Sequence, residues 1–105
     1  MKRMLSFLTG LLVVAFMATG AFAHTPICNC FDNSDGTITC EGGYSDGSSA
    51  AGVNMSVVDK GGKVLVKGKM DRNSEFTFKK PNVPYTVVFD AGPGHVVKVE
   101  GKNIK

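Results

Sequence analysis

The chain has 105 residues, of which 43% are hydrophobic and 20% charged, and its formal net charge is +3. Lys2 and Arg3 supply two of these positive charges, so the rest of the chain is close to neutral. Nucleic-acid binding is therefore disfavoured, because there is no basic patch, and no polybasic arm is present for a membrane surface. The length suits one small domain with a core of marginal size, which exported proteins often reinforce with a disulfide or a metal.

Residues 1–23 have the pattern of a cleavable secretory signal peptide. A positively charged start precedes a short apolar run at residues 11–17, and residues 21–23 (Ala-Phe-Ala) suit cleavage before His24. The apolar run is too short for a stable transmembrane helix, so a membrane anchor is the disfavoured alternative. We predict a periplasmic or secreted protein that is not inserted in the membrane after cleavage.

The mature chain, residues 24–105, is then predicted to begin with His24. A histidine at this position carries two nitrogen ligands, its free α-amine and its imidazole. Cleavage one or two residues earlier is the alternative. A start at Phe22 would make His24 the third residue, which is another chelating geometry for copper and nickel.

Short alternating segments separated by Gly, Asn, Asp and Pro predict an all-β domain. The first two strands are predicted at Ile27–Asn33 and Thr37–Tyr44, joined by a three-residue Ser-Asp-Gly loop. In that register Cys30 faces Cys40, and Cys28 shares one face of the strand with Cys30. All three sulfur atoms are therefore expected on one side of the hairpin.

Three cysteines in an oxidising compartment predict one disulfide and one free thiol. We predict a structural disulfide between Cys30 and Cys40. Two roles stay possible for Cys28, disulfide partner and metal ligand. The second is possible because a thiolate is a strong ligand for soft and borderline metals.

Five further strands follow, and each is bounded by turn-forming residues. Seven short strands at this spacing predict a small two-sheet β-sandwich of the immunoglobulin-like or prealbumin-like kind, with no second domain. The predicted strands are Val53–Val58, Lys63–Lys69, Glu75–Lys79, Tyr85–Asp90 and His95–Glu100.

Four segments resemble a carboxypeptidase-regulatory-like sandwich: 44–53 (YSDGSSAAGV), 57–65 (VVDKGGKVL), 68–78 (GKMDRNSEFTF) and 85–95 (YTVVFDAGPGH). Together they are similar to the additional periplasmic components of energy-coupling-factor nickel/cobalt transporters. The Asp-Ala-Gly-Pro-Gly-His ending and the predicted N-terminal histidine carry most of this resemblance. It implies that the exported chain binds metal and delivers it to the membrane subunits of a transporter. The three cysteines lie outside the family pattern and leave copper as an alternative metal.

The predicted metal ligands are His24, His95 and Cys28. An α-amine has a pKa of about 8 and an imidazole one of about 6.5, so both can bind a metal at neutral pH. The amine and imidazole of His24 would close a chelate ring, and His95 would complete a three-nitrogen set suited to Ni(II) or Cu(II). A Cys28 thiolate would shift the preference toward Cu(I) or Zn(II). The histidines meet only if the first and last strands reach the same end of the sandwich.

We therefore predict an exported protein that captures nickel, cobalt or copper and passes it to a membrane transporter. The alternative is a non-catalytic periplasmic interaction module, with a structural disulfide and two histidines that bind no metal. An enzyme with a copper-binding N-terminal histidine is disfavoured. The chain is short, lacks the broad aromatic surface that a polymer substrate needs, and shows no nucleophile–base pair.

Overall fold

Seven strands account for most of residues 24–105, the part of the chain that the computed structural model describes. The predicted signal peptide and its cleavage site lie outside the described residues. The predicted strand bounds differ from those of the structure by at most one residue. The strands are β1 (Pro26–Asp32), β2 (Thr37–Tyr44), β3 (Asn54–Asp59), β4 (Val64–Lys69), β5 (Glu75–Lys79), β6 (Tyr85–Asp90) and β7 (Val96–Glu100).

The strands form two antiparallel sheets, one with the order β1-β2-β5 and the other with the order β4-β3-β6-β7. Three hairpins (β1–β2, β3–β4 and β6–β7) build most of this topology, and β5 crosses to pair with β2. This confirms the predicted all-β sandwich. In the part of the chain described by the structure, no helix has the length and apolarity that a membrane crossing requires.

The core fills the space between the sheets because alternate residues of each strand point inward. In the four-stranded sheet, Val57 and Val87 pair directly and are fully buried. No polar or charged side chain is buried among the described residues, so the interior is apolar apart from sulfur. The buried residues are Cys28, Ile38, Cys40, Ala50, Met55, Val57, Met70, Phe78, Val87 and Phe89.

The predicted register of the first hairpin is confirmed. Cys30 pairs with Cys40, and the backbone amide of Asn33 donates to the carbonyl oxygen of Thr37 at 3.0 Å. Gly36 has φ of 91°, the left-handed conformation that its place in the loop requires.

β1 and β7 lie against each other. They run in the same direction, because Tyr44, which pairs with the first residue of β1, lines one hollow with Gly92 and Pro93, just before β7. At the other end, the amide of Asp32, the last residue of β1, donates to the carbonyl oxygen of Lys105 at 3.3 Å; Lys105 follows β7 after a short 3-10 helix (Gly101–Asn103). The starts of the two strands therefore share the end of the sandwich opposite this hydrogen bond. This relation between the first and last strands decides where the two histidines stand.

A glycine is required at position 42 of β2 because the neighbouring side chains leave no room for a Cβ atom, and not because of its backbone conformation. A Cβ atom there would lie 2.8 Å from the ring of Phe89 and 2.9 Å from Cε of Met70. Both side chains are buried, so they have little room to move aside. We expect Gly42→Ala to lower the free energy of unfolding by about 1–3 kcal/mol, measured by urea denaturation.

Gly43→Ala is the matched control for this substitution. A Cβ atom at Gly43 would meet its nearest neighbour, the carbonyl oxygen of Ser48, at 3.8 Å, which is an ordinary contact distance. Both variants add the same methyl group to adjacent positions of one strand. Equal losses of stability in the two would show that overpacking against Phe89 is not the cause.

Candidate functional site

Both histidines stand at the same end of the sandwich, which we call the His24 end. His24 lies two residues before β1, and His95 lies one residue before β7. The ring of Tyr44 lies 6.0 Å from that of His24 and lines a hollow of about 530 Å³ with Gly92 and Pro93, from the loop that precedes His95. The topological condition for a shared site is thus met, but the ligand atoms of His24, Asp46 and His95 do not converge as a group in the described part of the chain.

The backbone beside His24 is tied to the end of the first hairpin. The amide of Thr25 donates to Oγ of Ser45 at 3.0 Å, and the amide of Ser45 donates to the carbonyl oxygen of Thr25 at 2.9 Å. These bonds continue the β1–β2 ladder beyond the strands. The start of the predicted mature chain is therefore held in a defined position, unlike an ordinary frayed terminus.

The imidazole of His24 faces the carboxylate of Asp46, which is not among the ligands predicted from the sequence. Its Nδ1 atom lies 2.9 Å from Oδ2 of Asp46. The two side chains are 62% and 31% exposed, so solvent screens their attraction and the contact chiefly orients the ring. Nε2, and the α-amine that cleavage before His24 would free, are the other groups that this residue can offer to a metal.

Asp46 is itself fixed by the turn that follows β2. Its Oδ1 atom accepts hydrogen bonds from the Ser48 hydroxyl at 2.6 Å and from the Ser48 amide at 3.0 Å. Both bonds lower the pKa of Asp46, and the bond from the Ser48 hydroxyl has the larger effect. The charge of His24 adds a smaller effect in the same direction. The carboxylate is therefore ionised at neutral pH, with one oxygen held by the turn and the other directed at His24.

His95 is oriented by the loop in which it lies. It was predicted to begin the last strand, but its amide closes a turn by donating to the carbonyl oxygen of Gly92 at 2.9 Å. Its Nδ1 atom lies 3.2 Å from the carbonyl oxygen of Pro93. A carbonyl oxygen only accepts, so this bond places the proton of a neutral ring on Nδ1 and leaves the lone pair on Nε2. Metal-binding histidines are commonly oriented by this kind of bond.

The predicted disulfide between Cys30 and Cys40 is present, with 3.9 Å between the two Cα atoms. Cys28 is free and 7% exposed, and its Sγ atom lies 4.0 Å from that of Cys30. The three Sγ atoms lie within 4.8 Å of one another, as expected for one face of the hairpin. Burial raises the pKa of the Cys28 thiol to about 11, so the thiol is protonated at neutral pH.

The structure does not bring Cys28 together with the histidines. Neither His24 nor His95 belongs to the group of converging ligand atoms that the three cysteines form among the described residues. Cys28 comes four residues after His24, which corresponds to about 13 Å along an extended strand. The two predicted ligand types therefore occupy separate places, the histidines at the surface and the sulfur atoms in the core.

A larger hollow, of about 790 Å³, lies at the opposite end and contains none of the predicted ligands. Its wall includes Tyr85, whose buried hydroxyl has no hydrogen-bond partner among the described residues, and Lys80, which pairs with Asp32 at 2.9 Å. Desolvation of the phenol raises the pKa of Tyr85. The candidate functional site is therefore the His24 end.

Comparisons of the chain with protein-family models, with curated proteins and with solved structures found no match. The resemblance to nickel/cobalt transporter components accordingly stays a prediction. The His24 end is therefore defined by its own geometry: two oriented imidazoles and one fixed carboxylate at one end of a β-sandwich.

Proposed function

We propose that the mature protein is an exported transition-metal-binding domain that captures nickel, cobalt or copper at the His24 end. The observation that carries this proposal is that β1 and β7 start at the same end of the sandwich, so that His24 and His95 both stand at that end. Asp46 adds an anionic oxygen, directed at His24, to the same end. The resemblance described above supports delivery to a membrane transporter as the purpose of capture.

Cleavage before His24 would create the main chelating unit. The freed α-amine and Nδ1 of His24 can bind one ion together, which costs less entropy than binding by two separate residues. Nδ1 is the atom that now faces Asp46, so the metal would take the place of the proton between them. Two ligands at about 2.0–2.1 Å from an ion, at right angles to each other, are about 2.9 Å apart. The Nδ1–Oδ2 separation already has that value.

The remaining ligand of the proposed site is Nε2 of His95, which would have to move toward His24 when the ion binds, because the ligand atoms of His24, Asp46 and His95 do not converge in the described structure. A set of three nitrogen atoms and one carboxylate oxygen suits the tetragonal geometry that Ni(II) and Cu(II) prefer. The negative charge of Asp46 offsets part of the charge of a divalent ion. The side chain of His24 is mostly exposed, so a partner's ligands can reach the ion and replace those of the carrier. Exposure of this kind suits delivery better than permanent storage.

Calorimetric titration of the chain that begins at His24 tests this proposal. We expect one Ni(II) or Cu(II) ion per chain, and affinity lower by about 10–100-fold in His95→Ala or Asp46→Asn, the range typical of lost ligands or supporting groups. Asp35→Asn is the matched control, because Asp35 forms the equivalent turn with Thr37 at the other end of the hairpin. It should leave the affinity unchanged.

Circular dichroism and an intact disulfide would verify that each variant is folded. Absence of binding in the parent chain would remove the proposal and favour the alternative of an interaction module without metal. Binding that is equally strong in His95→Ala, Asp46→Asn and the parent chain would place the ion away from the His24 end, and would likewise contradict the proposed site.

A further inference from the structure

The three cysteines form a second cluster of potential ligands, inside the sandwich and apart from the His24 end. Cys28 and Cys40 are 7% and 0% exposed, whereas Cys30 is partly exposed and connects the cluster to the surface. The cluster lies on neighbouring strands of one sheet, so its spacing is set by the β1–β2 register and not by a flexible loop.

We propose that reduction of the Cys30–Cys40 disulfide turns this cluster into a three-sulfur site for a soft monovalent metal ion, Cu(I). An external dithiol would supply the two electrons and two protons. Its own two thiols would become a disulfide while Cys30 and Cys40 become thiols. Cys28 is already a thiol and needs no reduction. Each sulfur that then binds the ion as a thiolate releases one proton.

The spacing of the sulfur atoms suits one ion with three ligands. Three sulfur atoms at about 2.3 Å from a central ion, in one plane, are about 4.0 Å apart. Cys28 and Cys30 already have 4.0 Å between their Sγ atoms. When the disulfide bond breaks, the Cys30 and Cys40 sulfur atoms must separate to a non-bonded contact distance, which approaches the same value. Side-chain rotation supplies this change, because both residues stay paired across the two strands.

The ligand set favours Cu(I) over Zn(II). Structural zinc sites take four ligands in tetrahedral geometry, whereas the cluster contains three sulfur atoms and no histidine or carboxylate. Thiolates are soft ligands that suit both Cu(I) and Zn(II), so it is the number of ligands, three and not four, that favours Cu(I) here. The apolar side chains around Cys28 and Cys40 keep water from the ion.

The test uses the mature chain with His24→Ala and His95→Ala, so that its result is independent of the proposed histidine site. The protein is reduced with a phosphine under anaerobic conditions and titrated with Cu(I) in competition with a chromogenic chelator. We expect one Cu(I) per reduced chain, a thiolate-to-copper absorption band, and affinity at least about 100-fold weaker in the oxidised chain. After reduction, Cys28→Ala, which keeps Cys30 and Cys40, should also bind Cu(I) at least about 100-fold more weakly than the reduced chain that has Cys28.

A second measurement covers the case in which the reduced chain is unstable without metal. A metal that binds only the folded state raises the thermal midpoint, so Cu(I) should raise that of the reduced chain and leave that of reduced Cys28→Ala unchanged. Equal Cu(I) affinity in the oxidised and reduced chains would overturn the proposal. So would equal affinity with and without Cys28, or preference for Zn(II) over Cu(I).

Discussion

A chain that keeps Gly20-Ala21-Phe22-Ala23 ahead of His24 should bind Ni(II) or Cu(II) at least about 100-fold more weakly than the chain that begins at His24. The extension turns the α-amine of His24 into an amide nitrogen and moves the free amine to Gly20, four residues away. The chelate ring is then lost, although the imidazole, Asp46 and His95 are unchanged. A 100-fold loss corresponds to about 2.7 kcal/mol of binding free energy.

The control for this prediction is the same protein after the four extra residues have been removed by a protease. Removal should restore the affinity within the error of the titration, with one metal ion per chain. The comparison isolates the free amine, because every described side chain is the same in both forms. If the extended and trimmed chains bound metal equally well, the ion would not be held by the amine of His24, and export would not create the site.

The position of Asp46 opposite His24 follows from a register that could be predicted from the sequence. The hairpin prediction paired Cys30 with Cys40, and the structure extends that pairing to Pro26 and Tyr44. Two residues further along the same ladder, His24 lies opposite Asp46. Asp46 lies in the turn formed by Ser45, Asp46 and Gly47, beyond the alternating pattern from which strands are predicted, so the strand pattern alone does not indicate it.

The strands themselves were predictable because alternating apolar residues and Gly- or Asp-containing turns are local signals. The assignment of strands to sheets was not, since the pairing of β5 with β2 depends on contacts between residues far apart in the chain. The common direction of β1 and β7 is a long-range property of the same kind. That direction places His24 and His95 at one end, so the site depends on information that a local pattern does not contain.

The three cysteines also show what a local sequence pattern can predict and what it cannot. The two-residue spacing of Cys28 and Cys30 correctly predicted one face of the strand, and the register correctly predicted the disulfide. The distance from His24 to Cys28 was equally fixed by strand geometry, at about 13 Å. Only the structure shows that this face is the interior, where Cys28 is a protonated thiol and the histidines are absent.

Replacing Cys30 and Cys40 with alanine should lower the free energy of unfolding by about 2–4 kcal/mol. The disulfide closes a loop with a sequence separation of 10 and joins two directly paired residues at the middle of β1. Without it, the unfolded chain gains conformational freedom, and the truncated side chains leave space beside the buried Ile38 and Phe78. The free energy of unfolding of a small domain is low, so a loss of this size should lower the urea concentration at the midpoint of denaturation by a large fraction.

Cys28→Ala separates the effect of the bond from that of a lost buried sulfur atom. It removes one sulfur from the same cluster, keeps the disulfide, and should cost less than half as much as the double replacement. Reduction of the parent chain should reproduce most of the loss seen in the double variant, because both remove the same constraint on the unfolded state. If reduction left the midpoint unchanged, packing around the sulfur atoms, and not the covalent bond, would be what stabilises the first hairpin.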